Sequence, residues 1–273
     1  MGVSLLAGAA TARAAATLVV QRGEEQPATL YADGDRMRMD MPAHDNATIG
    51  DAAFRPSAVI IDAAAKKILM LHESDKTYTE ITEEDMKAIQ ARLAASRAQF
   101  AERLKNMPPD RRQKLEALSQ LGDRKGPPKF TFEKKGEKKT INGIRCETYK
   151  VLLDGVPHEE DCISPWSDGV VKQSDFAGLS KFGRDMVTNM GAKNSSIPLF
   201  DQYPGLPISR VPLDEKGAPG IESQVKSVKK GPVPATLFNV PSGFTKKALP
   251  FGPGAAGPGV TAPAGLPPAA PKP

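Results

Sequence analysis

Apolar positions in this chain recur mostly at every second residue or in short continuous runs, and only three stretches carry a helical period. The densest strand pattern is residues 57–81, SAVIIDAAAKKILMLHESDKTYTEI, which reads as three short strands separated by two tight connections. Residues 58–61 form an apolar run ending in Asp62, residues 68–71 a second ending at His72, and residues 76–81 a third strand rich in Thr and Tyr. Runs that are apolar at successive positions suggest strands covered on both faces, for instance by a cavity filling on one side and a helix on the other.

Upstream, residues 17–21, 28–31 and 36–41 read as strands, with Asp33, Gly34 and Asp35 as the turn before the last of them. That strand alternates Arg-Met-Arg-Met-Asp-Met. Strand geometry therefore puts Met37, Met39 and Met41 on one face and Arg36, Arg38 and Asp40 on the other. Three thioethers in a row are most often core packing against a helix; the other use is an adaptable apolar binding surface.

Downstream, Thr82 and Asp85 have the spacing of a capping box. Met86, Ile89, Leu93, Phe100 and Leu104 then fall on one helical stripe. Asn106, Met107, Pro108 and Pro109 break it, and Leu115, Leu118 and Leu121 mark a second helix closed by Gly122. Residues 82–121 thus form a helical hairpin inserted between strands, either packed on the sheet or serving as a movable cover. Strands resume at 129–132 and 139–141, with the basic stretch from Lys134 to Lys139 as a solvated turn between them. A third helix is predicted over 174–191, burying Phe176, Leu179, Met186, Val187 and Met190. Strands follow at 206–211, 222–228 and 236–240, before a turn at 241–244. No fixed-period repeat is visible.

The two ends change this picture. Residues 3–10 are apolar, and Ala12, Arg13 and Ala14 follow as an A-x-A cleavage pattern, so residues 1–16 read as the remnant of a secretory signal peptide. Residues 248–273 are Pro, Gly and Ala with almost no charge, a composition expected to be disordered. Residues 17–247 remain for one sizeable core. No apolar run is long enough for a transmembrane helix. The net charge of +5 is mild and spread along the chain, and with export a nucleic-acid partner is not expected.

Cys146 and Cys162 flank Asp154-Gly155, a strong hairpin signal. Folding the chain about residue 154, with a three-residue loop or a bulge, places the cysteines opposite one another, as a cross-strand disulfide requires. Such a bond suits an exported chain, and without a C-x-x-C its work is stapling rather than redox catalysis.

The sequence carries no signature of reaction chemistry. There is no G-x-S-x-G, no H-E-x-x-H and no P-loop. Ser223 with Lys226 and Ser227 with Lys230 match S-x-x-K, but residues three apart on a strand point to opposite faces. His158, Glu159, Glu160 and Asp161 offer metal-type ligands beside the hairpin, yet read as an exposed acidic strand. His44 with Asp45 is a loop pair, and Asp62 and Asp75 suit turns. No catalytic residue, metal or cofactor is therefore expected.

The order of pieces resembles a family of secreted bacterial domains of unknown function, related in shape to the periplasmic lipoprotein carriers LolA and LolB. The matching pieces are residues 59–61, 68–71, 76–81 and 238–244, with 143–149 a looser match. This chain departs from that pattern in its two-helix insert, its Pro-rich tail and the lack of a lipidation cysteine near the start. The resemblance implies an α+β fold in which a curled antiparallel sheet forms a half-barrel whose concave face is covered by helices. It also implies a non-enzymatic periplasmic or secreted protein that holds an apolar or acyl ligand, or a lipoprotein segment, with Met37, Met39, Met41, Ile68 and Met70 lining the cavity. The competing expectation is a structural or protein-interaction module of the cell envelope with a packed, ligand-free core.

Overall fold

A computed structural model describes residues 15–42, 56–108, 128–189 and 199–249. Six strands come first: β1 (Ala15–Arg22), β2 (Ala28–Asp33), β3 (Arg36–Asp40), β4 (Ala58–Asp62), β5 (Lys67–His72) and β6 (Thr77–Ile81). Helix α1 (Glu83–Lys105) follows, then β7 (Phe130–Ile141), β8 (Ile144–Leu153) and β9 (Val156–Pro165). Helix α2 (Ala177–Asn189), β10 (Gly205–Pro212), β11 (Ser223–Lys230) and β12 (Thr245–Lys247) complete the order. These strands make one curled, unclosed sheet of twelve in the order β12-β6-β5-β4-β3-β2-β1-β11-β10-β9-β8-β7. It is two meanders joined edge to edge where β1 pairs with β11. Every pairing is antiparallel except β12 on β6.

β1 starts two residues before the expected boundary. Ala16 is fully buried and pairs with both Ala32 and Lys230, so it belongs to the sheet. The meanders are tight because their turns use left-handed backbone: Asp154-Gly155 joins β8 to β9 with φ of 54° and 83°. The main core lies over β1 and β2 and the disulfide-bearing strands. Ala16, Leu18, Leu30, Ala32, Leu206, Ile208 and Val225 are roofed there by Val171, Phe176 and Leu179. The roof sits close to the sheet because α2 begins with a glycine in its first turn. A Cβ on Gly178 would collide with the Asp35 carboxylate and stand 2.9 Å from the Asp35 Cα.

Helix α1 begins as its sequence predicts. The Thr82 hydroxyl accepts from the Asp85 N–H, and the Asp85 carboxylate accepts from the Thr82 N–H at 2.9 Å. Met86 and Leu104 are buried at its two ends, whereas Phe100 is exposed, so the expected stripe packs only in part. The second helix of the expected hairpin lies outside the described residues, as do His44, Met190 and the tail beyond residue 249.

Two expected strands differ. Phe130–Ile141 is one long strand rather than two strands and a turn. A bulge between Lys134 and Lys138, with Gly136 at φ 80°, absorbs the basic stretch without breaking the pairing to β8. The strand is the sheet's outer edge, where lysines discourage pairing with other chains. Where a strand was expected over 236–240, Ala235–Phe238 form a 3-10 turn after Pro234, and β12 follows it.

That turn covers one face of the first meander. Phe238 packs on Ala58, Ile60, Leu69 and Leu71, all buried, with Val233, Val240 and Phe244 around them. The arginines of β3 hold it there. The Arg36 guanidinium lies 4.6 Å from the Phe238 ring centroid, and Arg38 Nη1 donates to the Leu237 carbonyl at 2.9 Å. Phe238→Ala should therefore lower stability by about 3–5 kcal/mol, read as a fall in urea midpoint. A loss under about 1 kcal/mol would mean that this segment does not close the core.

Candidate functional site

The face of β3–β6 opposite Phe238 is built by register alone. Met37 stands across from Ile61, Ile61 from Ile68, and Ile68 from Ile81. In the next row Met39 stands across from Val59, Val59 from Met70, and Met70 from Thr79. Each of Met37, Met39, Val59, Ile61, Ile68, Met70 and Ile81 is only half-buried. Their neighbours on the other face are closed: Ile60 and Leu71 are each 1% exposed. The same strands thus have one dry face and one apolar face that keeps contact with solvent.

Four of the five sequence-predicted residues, Met37, Met39, Ile68 and Met70, fall in these two rows. Met41 lies beyond the end of β3, half-buried, its N–H donating to the Ser57 carbonyl at 2.8 Å. It sits at the rim rather than in the rows. Met37, Met39 and Ile61 also pack against the main core, so they bridge packed and half-buried apolar surface. A cleft of about 410 Å³ lies elsewhere, lined by Lys138, Lys139, Thr140, Arg145, Glu147 and Asp168 among others. None of the five predicted residues lines it, and its walls mix charged side chains with apolar surface, Cys146 and Pro165 among them.

Cys146 and Cys162 are joined, with a Cα–Cα distance of 5.3 Å. They are diagonal neighbours rather than directly opposite. A bulge between Val151 and Leu152 shifts the register so that Thr148 faces Cys162. Both cysteines are buried in the main core.

The His158–Asp161 stretch is not the exposed acidic strand that its composition suggests. Glu159 is 6% and Asp161 0% exposed. Strand alternation turns both acids to the side of Tyr149, which stands across from Asp161, while Arg210 stands across from Asp161 on the other flank. Arg210 spends its guanidinium on Glu159, with Nη2 to Oε1 at 2.7 Å and Nε to Oε2 at 3.1 Å. Neither oxygen of Asp161 has a hydrogen-bond partner among the described residues, and the buried Tyr203 hydroxyl has none either. Burial, reinforced by the Glu159 charge, pushes the Asp161 carboxyl up to about 8 despite the opposing pull of Arg210. Burial likewise pushes the Tyr203 hydroxyl up. The signal available in the sequence was Arg210 itself, a charge inside the otherwise strand-like run 205–212.

The other two carboxylates singled out from the sequence, Asp62 and Asp75, are turn groups. Asp62 Oδ1 accepts from the Ala65 N–H at 2.8 Å. Asp75 accepts from Lys247 Nζ at 2.5 Å and from the Thr77 hydroxyl at 2.7 Å, and these bonds hold its carboxyl down at about 2. Ser223 and Ser227 lie on β11 with Lys226 and Lys230, as strand residues rather than a helical pair.

No family model matches the sequence, and no curated protein matches it. Among solved structures, the chain is similar to an uncharacterized conserved protein from Thermus thermophilus. That match has a TM-score of 0.42 and 11% identity, over 86% of this chain and 90% of that one. It is also similar to MucB in complex with MucA(peri), with a TM-score of 0.30 and 16% identity over 82% of this chain and 52% of that one. A Pseudomonas aeruginosa MucA/MucB complex gives a TM-score of 0.32 and 13% identity over 83% of this chain and 55% of that one. The chain spans about half the length of both MucB-complex chains it matches. All three TM-scores lie below 0.5, so these likenesses carry no statement about activity or partner.

The buried acid makes a pH prediction. Between the ordinary carboxylate range near 4 and the folded value of about 8, the folded state keeps a proton that the unfolded chain releases. Stability from this group is full below about pH 4, falls by about 1.4 kcal/mol per pH unit up to about pH 8, and is flat above. Urea unfolding from about pH 4.5 to about pH 8.5 should show that slope in the wild type but not in Asp161→Asn. Equal slopes in the two proteins would show that Asp161 is ionised in the fold.

Proposed function

We propose that this chain is an extracytoplasmic, non-enzymatic binding module. It holds an apolar or acyl segment, of a lipid or a lipoprotein, against the half-buried rows of β3–β6. One observation carries the reading: Val59, Ile61, Ile68 and Met70 are half-buried while Ala58, Ile60, Leu69 and Leu71 on the same two strands are buried. A core that needed only packing would close both faces, since half-buried apolar side chains forgo part of the roughly 25 cal/mol per Å² that burial supplies. Methionines suit such a surface because an unbranched thioether reshapes around different apolar partners. The disulfide supports the compartment, because such bonds persist where the solvent is oxidising.

The competing reading is an envelope protein-interaction module with a closed core. Burial of Met86 and Leu104 at the two ends of α1 favours it, since both ends of that helix are already docked.

Native mass spectrometry of protein recovered from an oxidising periplasm separates the two. A bound mass released on denaturation and identified as lipid supports the carrier reading. A clean apo mass, with no later uptake of a fluorescent fatty acid, leaves the interaction module. Met39→Asp and Met70→Asp should each weaken fatty-acid binding at least about tenfold, because either puts a charge into the apolar rows. A double variant that folds and binds like the wild type would remove these rows from the site.

A further inference from the structure

The cleft at the β7–β8 end of the sheet has two walls, each held by its own contacts. One wall is the end of the β7–β8 hairpin, where pairing sets Lys138 across from Glu147, Lys139 from Cys146 and Thr140 from Arg145. Asn142 and Gly143 close that hairpin in left-handed backbone, with φ of 50° and 78°. Asn142 Nδ2 donates to the Val225 carbonyl at 2.9 Å and so ties the turn to β11. The disulfide fixes Cys146, the residue next to Arg145. The other wall is Pro165 and Asp168. Trp166 holds it: its Nε1 donates to the Tyr203 carbonyl at 3.0 Å, and its own carbonyl accepts from the Gly169 N–H at 3.1 Å.

The charges of the hairpin wall do not cancel. Register offers Lys138 the carboxylate of Glu147 directly opposite, but Glu147 accepts from Lys134 Nζ at 2.9 Å instead. Lys139 keeps a long contact of 3.7 Å to Glu137. Lys138 and Arg145 have no carboxylate or hydrogen-bond partner among the described residues, and Asp168 on the other wall pairs with neither. Strand alternation puts Lys138, Thr140 and Arg145 on one face, with Lys138 and Arg145 as diagonal neighbours. Long side chains on such a diagonal reach a common point. Two cations kept side by side, with a hydroxyl beside them, attract a group that brings negative charge and several acceptor oxygens together.

We propose that this cleft binds a phosphate ester, its phosphate oxygens shared by the Arg145 guanidinium, the Lys138 ammonium and the Thr140 hydroxyl. The guanidinium presents a planar fork that takes two phosphate oxygens, and the lysine adds a point charge. A volume of about 410 Å³ falls in the range of small-molecule sites, so an organic body fits beside the phosphate. Pro165 and Cys146 give that body apolar surface to rest on. Asp168 sets its direction, because a carboxylate repels the phosphate and accepts from a ligand hydroxyl. Glycerol phosphate has this chemistry, either free or as the headgroup of an anionic phospholipid. The site shares no residue with the rows of β3–β6 and stands whether or not they take an acyl chain.

The test titrates the full chain with glycerol 3-phosphate and follows ¹⁵N spectra, reading affinity from the backbone amides of residues 138–147 and location from the Arg145 Nε–Hε group. The proposal expects that group to shift saturably. It expects Arg145→Gln and Lys138→Gln each to weaken binding at least about tenfold, and Arg145→Lys to recover only part of the loss, since an ammonium has no fork. Lys216→Gln, an exposed lysine outside the cleft, should bind like the wild type. Arg145 and Lys138 are themselves exposed, so these changes leave the core intact, which unchanged melting temperatures verify. Co-sedimentation with phosphatidylglycerol vesicles, against phosphatidylcholine alone, separates the two sources. Saturable binding of the free ester assigns the cleft to a soluble phosphate ester; Arg145-dependent binding to phosphatidylglycerol vesicles alone assigns it to a lipid headgroup. Equal binding by the wild type, Arg145→Gln and Lys138→Gln overturns the proposal, and so does no binding to either probe.

Discussion

A strand has two faces and no third, and in β3 that constraint divides labour between neighbouring residues. Arg36 and Arg38 take one side because each has a partner there, a phenyl ring and a backbone carbonyl supplied by residues 237 and 238. Once they are held, Met37 and Met39 have no choice of side. Pairing then copies the division outward: Ile60 and Leu69 are sent to the closed face, Ile61 and Ile68 to the other. One register slip would bury arginines and expose the core, so the arginine contacts fix the register as well as the segment they hold.

The two meanders are built to different standards. The second is stapled by a buried disulfide and carries a two-pronged Arg210–Glu159 pair next to an unsatisfied Asp161. Such a group is tolerated only where the surroundings are rigid enough to hold it. The first meander has no covalent staple and leaves one face half-buried. A disulfide-stapled region and a half-buried apolar face therefore occupy opposite ends of one sheet, joined through β1 and β11.

Much of this was legible in the chain. Alternation placed the strands of the first meander within a residue or two, because their side chains sort cleanly by face. The Thr82 and Asp85 cap was readable because a capping box is local chemistry. What failed was whatever depends on a distant partner. Lysines 134–139 look like a turn until β8 supplies the pairing and a bulge takes up the slack. Residues 236–240 have a strand's composition, but Pro234 and the pull of Arg38 on the Leu237 carbonyl turn them into a 3-10 cover. Asp161 looks like surface because nothing near it in sequence announces Tyr203 and Arg210. The methionine rows were readable as sharing one face; that this face stays half-buried was not.

The location of the Phe238 cover orders events in the life of the chain. Strands β1–β6 are complete by residue 81, yet the side chains that close Ile60 and Leu71 come more than 150 positions later. A polypeptide synthesised from its N-terminus therefore completes the residues of β1–β6 while those that cover this apolar face are still to come. A chain cut short before residue 233 lacks that cover altogether, so one face of the first meander depends on the segment just ahead of the sheet's final strand.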